Sequence, residues 1–432
     1  MKSARDPTLI FITLLRRKQM TSRDQNILLV TTTQLSLNPR LVKEADALTD
    51  AGYTVTVIYA YWNKWGYEYD QLLLPQKKWR AICVGGDPLL SPRLYYISRV
   101  IHNLALIFHR KSGGKLFTDI AIARASYFLN KATRRLNADL YVAHNPGALP
   151  AVIKASKKNR KPCGFDAEDF HRNEMSNNKS VQDVILKTNI ENRYFPQLDY
   201  LSTSSPLIAS AYQKIFPDIK PTVLLNVFPA DARVPEAVPN LDQPIRLFWF
   251  SQTIGINRGL EDIIAALELL KEYPFQLHLL GHLSEATKTN YVDGLVGGKE
   301  DQIHLHQPIP SDNLAVFSSQ FDIGLALEPA FSNNNNMALS NKIFTYLQGG
   351  LAVVASDTDA QLQFLNDYPA VGKAYKKGDA ALLADVLLSY HLNRYELLEA
   401  KKKALQLARQ ELNWENESKT YLQLVKQTLK SK

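Results

Sequence analysis

Apolar positions along the chain fall into short continuous runs separated by stretches with three-and-four spacing, and this alternation occurs twice. In the first half, Asn26 to Thr31 reads as a buried strand. The polar loop TQLSLNPR follows, then a helix from about Leu41 to Asp50 ended by Gly52, then a second strand from Thr54 to Tyr59. That order is the start of a doubly wound sheet. Short apolar strands recur at Asp139 to Ala143, Pro162 to Asp166, Tyr200 to Thr203 and Val223 to Leu225. Between Asn226 and Pro244 periodicity gives way to proline, alanine and acidic residues, the mark of a linker. The pattern restarts with strand Ile245 to Phe250, the loop SQTIGINRG and a helix from Leu260 to Lys271. Strands Gln276 to Leu280, Ile303 to Leu305 and Ile323 to Leu327 follow, with a helix near Asp312 to Ser319. Ala380 to Ser389 is helical, and Arg394 to Leu429 reads as a long charged helical tail.

The expected organisation is an extension over 1–25, an α/β domain over 26–226, a linker over 227–244, a second α/β domain over 245–395, and a C-terminal helix over 396–432. At 432 residues and 45% apolar content, the chain supports two such domains. No apolar run approaches the ~20 residues of a membrane span. The first 23 residues are basic and briefly apolar from Leu9 to Leu15, without a small-residue cleavage site, so they are not read as a signal peptide; Met20 is an alternative start. Two cysteines, Cys83 and Cys163, in no metal or redox spacing, fit a reducing compartment and two buried small hydrophobes.

Charge changes the picture locally. Of the net +9, nearly all is concentrated in residues 91–135, where Arg93, Arg99, Arg110, Lys111, Lys115, Arg124, Lys131, Arg134 and Arg135 face one acid, Asp119. Tyrosines and long aliphatics are interleaved with them, the pattern of a segment that lies on an anionic membrane surface. The alternative is a solvated basic face over a core-packed helix. Nucleic acid is not expected, because no helix-turn-helix, zinc-finger or RNP pattern accompanies the charge.

Candidate chemistry clusters at strand ends. In SNKIFTYLQGGLAVVASD, from Ser340 to Asp357, Ser340 reads as an N-cap and Asn341 and Lys342 open a helix that Gly349 and Gly350 close before a buried strand. Free N–H groups, a positive dipole end and the Lys342 ammonium suit a diphosphate. The strand-to-helix loop Ser251 to Gly259 carries Gly255, Gly259 and one cation, Arg258. Glu328 lies at a strand end, read as either a solvent-exposed carboxylate or a group facing the ligand. In the first half, His144 lies beyond one strand, Asp166, Glu168 and Asp169 at the end of another, and Asn38 and Arg40 after the first; ligands in open α/β sheets bind at such carboxyl ends.

The stretch containing Ser340, Asn341, Lys342, Tyr346, Gly350, Val353 and Val354 resembles the donor-site helix of retaining family-4 glycosyltransferases of the GT-B fold, where P/S-N-K-x-x-E-Y-x-x-x-G-x-P-V-V recurs. The family's glutamate, which holds the nucleotide ribose, is Thr345 here. The 251–259 loop resembles the family's G-R-L-x-x-x-K-G loop, with Gln252 in place of the arginine. DLYVAHNPGALPA and CGFDAEDF resemble its histidine strand and its Y-D-x-H-E-L segment. The resemblance spans about Asn26 to Leu365. It implies two Rossmann-like doubly wound domains facing each other across a cleft, and transfer of a sugar from a nucleotide-sugar to a glycan or lipid-linked acceptor. Retention, independence of metal and of any cofactor, and a place in surface polysaccharide biosynthesis at the cytoplasmic membrane face are further implications. Carried over residue by residue, His144, Glu328 and Asp166 are catalytic candidates; Gly255, Arg258, Gly259, Ser340, Asn341, Lys342 and Thr345 bind the donor; Asn38, Arg40, Glu168 and Asp169 meet the acceptor. A nucleotide-sugar 2-epimerase and a catalytically weak nucleotide-binding subunit are the alternatives.

Overall fold

A computed structural model describes residues 25–238, 242–284, 287 and 301–431, so almost all of the N-terminal extension lies outside the described residues. The first sheet comprises β1 (Asn26–Thr31), β2 (Thr54–Ala60), β3 (Arg80–Val84), β4 (Leu140–His144), β5 (Cys163–Ala167), β6 (Tyr200–Thr203) and β7 (Thr222–Val223). The second comprises β8 (Ile245–Thr253), β9 (Phe275–His282), β10 (Ile303–His306), β11 (Ile323–Ala326), β12 (Ala352–Ser356) and β13 (Gly372–Tyr375). Their orders are β3-β2-β1-β4-β5-β6-β7 and β10-β9-β8-β11-β12-β13, with every pairing parallel. Each order reverses beside its first strand, between β1 and β4 and between β8 and β11, which creates a binding crevice at those strands' carboxyl ends.

The apolar runs are continuous because both faces of each sheet are covered. Ile27 and Leu29 of β1 pack into one core and Leu28 and Val30 into another. Leu247 and Trp249 of β8 likewise face one core, and Phe248 the other. Successive side chains of a strand point to opposite faces, so a strand buried on both sides is apolar along most of its length, with polar residues such as His144 and Asp166 only toward its carboxyl end. Edge strands differ: β3, with Arg80 and Cys83 exposed, and β13, opening at Gly372, have no apolar run. Cys83 is therefore an exposed thiol on an edge strand, not the buried hydrophobe expected.

The helical tail is two helices, Arg394–Gln410 and Trp414–Lys430, divided at Glu411 to Asn413. Asn413 accepts from the Asn416 amide and so caps the second. This helix returns to the first domain, burying Tyr421 and Val425 against Leu41 and Leu48 of α1 (Pro39–Asp50). Both chain crossings meet at Lys43, which donates to Asn226 Oδ1 (3.1 Å) and the Val227 carbonyl and lies 5.1 and 5.0 Å from the ring centres of Phe228 and Trp414.

Candidate functional site

The second domain places its polar groups through the segment after β11. Leu327 is buried, Glu328 follows, a short helix Asn333–Met337 capped by Ser332 comes next, and the helix Asn341–Gly349 starts beside Glu328 and ends at Gly350 (φ 67°). Lys342 Nζ is 2.6 Å from Glu328 Oε1, Ser340 Oγ donates to the same oxygen at 3.0 Å, and Asn335 Nδ2 donates to Oε2 at 3.2 Å. Burial acts to raise the Glu328 pKa, but Lys342 and these donors outweigh it and hold the carboxyl at about 2.

Three expectations change here. Lys342 is not a free cation but half of an ion pair, and Glu328 is its counter-charge, not a solvent-exposed carboxylate. Ser340 stands at the N-cap, yet its hydroxyl serves Glu328 and makes no cap bond, so no N-cap side chain closes the end of this helix. Thr345, only 3% exposed, turns its hydroxyl back to the Asn341 carbonyl at 3.4 Å.

The turn after β8 approaches the same strand end. A Cβ on Gly259 (φ 72°) would lie 2.1 Å from the Leu327 carbonyl oxygen, so glycine is required for this close approach. The second left-handed residue of the loop is Asn257 (φ 58°), and Gly255 is not one. Arg258 is exposed. A cavity of about 320 Å³ opens between Asn257, Gly259, Leu327, Pro329, Lys377 and Gly378. Lys377, paired with Asp357 at 3.2 Å, escaped the sequence reading; its signal is the Lys-Lys-Gly turn just past β13. A larger cavity, about 500 Å³ beside Asn26, Thr54 and Arg80, opens at the strands' amino ends, remote from either crevice.

In the first domain, three of the expected residues, Arg40, His144 and Asp166, form a buried polar cluster with Glu44, which was not among the sequence candidates. Arg40 grips Asp166 with Nε at 2.6 Å and Nη2 at 2.8 Å, and Nη1 donates to the Leu224 carbonyl at 2.8 Å. His144, the last residue of β4, lies between Glu44 (3.3 Å) and Asp166 (3.6 Å). Arg40, Glu44, His144 and Asp166 are each 1% exposed. Arg40 thus has Asp166, not an acceptor, as its first partner. Asn38, expected at the acceptor, caps α1 by accepting from the Leu41 amide at 3.0 Å. Burial lowers the His144 pKa and Glu44 and Asp166 raise it, with a net rise; burial raises the Asp166 pKa and Arg40 and His144 bring it below the usual range. Glu44, His144 and Asp166 are spaced as metal ligands would be, but Arg40 already supplies their positive charge. Glu168, next along the chain, has its pKa pushed up to about 7, first by burial and then by Asp166. A carboxyl titrating there can exchange a proton at neutral pH.

No protein-family profile matches the sequence, and neither does any curated protein. Solved structures do match. A glycosyltransferase from Rickettsia africae superposes with a TM-score of 0.66 at 13% identity, over 95% of this chain and 100% of its own. HepE of Anabaena in complex with UDP does so at 0.64 and 14%, over 93% and 100%. The fold is GT-B. A protein from Listeria monocytogenes described as a UDP-N-acetylglucosamine 2-epimerase also superposes, at 0.58 and 11% over 94% and 97%, so the fold leaves the reaction open.

The two GT-B domains touch through the asparagine run, which forms the short helix Asn333–Met337. Asn334 accepts from the Phe170 amide at 2.6 Å and donates to Asp169 at 2.8 Å, and Ser332 Oγ donates to the Glu174 carbonyl at 2.9 Å. Its neighbour Asn335 is bound to Glu328. The catalytic candidate Glu328 and the donor candidate Lys342 are thereby joined to the acceptor candidate Asp169 through two adjacent asparagines.

Proposed function

We propose that the protein is a glycosyltransferase that moves a sugar from a nucleotide-sugar held by the second domain to a glycan or lipid-linked acceptor at the first. The observation that carries this reading is the Lys342–Glu328 pair at the uncapped start of the helix Asn341–Gly349, on the β8/β11 crevice of a GT-B fold. Helix-end N–H groups and a lysine stabilise the charge that builds on a departing diphosphate. Arg258 of the adjacent turn is the second cation.

The finer reading is a retaining, metal-independent transfer. It rests on the family resemblance and on charge partners that are side chains and a helix end, with the leaving phosphate assisting removal of the acceptor's proton. Glu168 is the titratable group available to the acceptor side. The basic surface of residues 91–135 supports a seat on an anionic membrane, at the cytoplasmic face in surface polysaccharide synthesis. Among the described residues no helix is long and apolar enough to cross a membrane. Thr345, buried where the family carries a glutamate, favours one alternative, a catalytically weak nucleotide-binding subunit. A panel of nucleotide sugars, scored for nucleoside diphosphate release with and without acceptor, separates these. Acceptor-stimulated release supports transfer, a sugar inverted at C2, whether free or still on the nucleotide, indicates epimerase, and binding that leaves the nucleotide sugar unchanged indicates the subunit.

A further inference from the structure

The helix α3 (Pro92–Lys111) carries its hydrophobicity the wrong way round for a core helix. Its buried residues are Ser98, Ala105 and His109. The opposite face, at three-and-four spacing, presents Ile97, Val100, Leu104, Ile107 and Phe108, each between 47% and 57% exposed. A helix that only covered a core with a solvated basic face would show the reverse.

This stripe is part of a continuous surface. Tyr95 of α3 contacts Tyr61 at 5.6 Å between ring centres, and Phe108 contacts Phe117 at 5.7 Å. Beside Tyr61, Trp62 (41% exposed) leads into α2 (Lys64–Leu73), which adds Trp65 (47%), Tyr69 (43%) and Leu72 (69%). Arg93, Arg110, Lys111, Lys115 and Arg124 are exposed around it, and Arg124 lies 4.5 Å from the Trp62 ring centre. Asp119, the segment's one acid, is already held by Lys154, Arg193 and Tyr194. Scattered surface leucines need no explanation, but a contiguous apolar stripe does. Tryptophan and tyrosine with a basic border are the composition of a membrane interface.

We infer that α2, α3 and the turn at Leu116–Phe117 form an apolar insertion surface that seats the first domain within the headgroup layer of an anionic bilayer. The inference rests on the membrane-surface reading above and adds insertion to electrostatic contact. Charge selects this occupant. A second copy would bring two basic surfaces together, and residues 1–24, with six basic residues against Asp6 and Asp24, have the same sign. The surface is also tied to the crevice: Gln34, in the loop after β1, accepts from the amides of Trp62 (3.1 Å) and Asn63 (2.9 Å). Asp70 of α2 accepts from the Ser36 amide at 2.8 Å. The loop that precedes Asn38 and Arg40 is thus held against the seated helix.

The test uses the full chain with vesicles of phosphatidylcholine alone or mixed with phosphatidylglycerol, at low and high salt, with brominated acyl chains as quenchers of tryptophan fluorescence. Trp62 and Trp65 are exposed, whereas Trp79 and Trp249 are buried at 6% and 0% exposure. Anionic vesicles should quench the emission, Trp62→Phe with Trp65→Phe should remove most of the quenching, and part of the binding should survive high salt. Leu104→Gln with Phe108→Gln, both at exposed positions, should weaken binding on the order of tenfold or more at either salt while leaving UDP affinity unchanged. Binding abolished by salt without quenching overturns insertion and leaves the membrane reading standing. No binding to any vesicle overturns both. Self-association in solution that these substitutions abolish, or binding that appears only after residues 1–24 are removed, assigns the surface to another occupant and overturns the inference.

Discussion

Replacing Glu328 with glutamine keeps the shape of the side chain and removes the charge that Lys342 faces. The folded carboxyl is held at about 2 against an ordinary 4.5. At about 1.4 kcal/mol for each pH unit, ionised Glu328 contributes about 3 kcal/mol to folding at neutral pH. The folded value is the lower one, so the contribution is complete above pH 4.5 and is lost as the pH falls through 4.5 toward 2. Both partners are largely buried, their side chains 14% and 15% exposed, so solvent screening removes little of it. Glu328→Gln should therefore lose about 2–3 kcal/mol in urea unfolding at pH 7, and its deficit relative to the parent should shrink toward pH 3. Calorimetric titration with UDP should show the opposite sign. Without the competing carboxylate, Lys342 donates wholly to the diphosphate, and affinity should rise on the order of tenfold. A variant as stable as the parent at pH 7, or equally destabilised at every pH, refutes the energetics of the pair. Weaker UDP binding refutes the competition between Glu328 and the diphosphate.

Lys342→Ala and Arg258→Ala should each weaken UDP binding by about 1.5–3 kcal/mol, since each removes a charge-assisted donor; unchanged affinity in both variants removes the donor assignment. Chelation with EDTA should leave turnover intact, and loss restored by manganese or magnesium would show that a metal takes part. Arg40→Met strands Asp166 in the interior and should destabilise the fold by about 3–5 kcal/mol in denaturant titration, whereas a loss below about 1 kcal/mol contradicts the cluster's structural role. The folded His144 pKa is raised, so its stabilisation is full below 6.5 and declines as the pH rises through the folded value; His144→Gln should flatten the stability profile on that alkaline side.

Strands buried on both faces could be read from the chain because both neighbours demand apolar side chains, so β1, β2, β4, β8 and β11 each leave an apolar run, whereas the equally buried β5 and β6 carry Asp166 and Ser202–Thr203. The same logic exposed the two-domain repeat and the helix at Lys342, whose glycine pair and polar entrance are local features. Edge strands β3 and β13 were not legible, since their short sequences, RAICV and GKAY, break apolar residues with charged and small ones and leave no continuous apolar run. The break in the tail at Glu411 to Asn413 was also hidden, because the charged surface pattern continues across it.

Candidate residues were found by type and by position at strand ends, and partners were not. Nothing local states that Arg40 turns to Asp166, 126 positions away, or that Lys342 meets Glu328. Such pairs are decided by which strands lie adjacent and how far each loop runs past its strand. The asparagine run shows the same limit: four identical residues in sequence, of which Asn334 reaches the other domain and Asn335 turns to Glu328. For residues 91–135 the sequence determined the content, basic and apolar residues mixed at helical spacing. Only the tertiary structure decided which face was buried, because a helix can rest on Ser98, Ala105 and His109 as readily as on leucines when its neighbours leave only narrow, small-residue space.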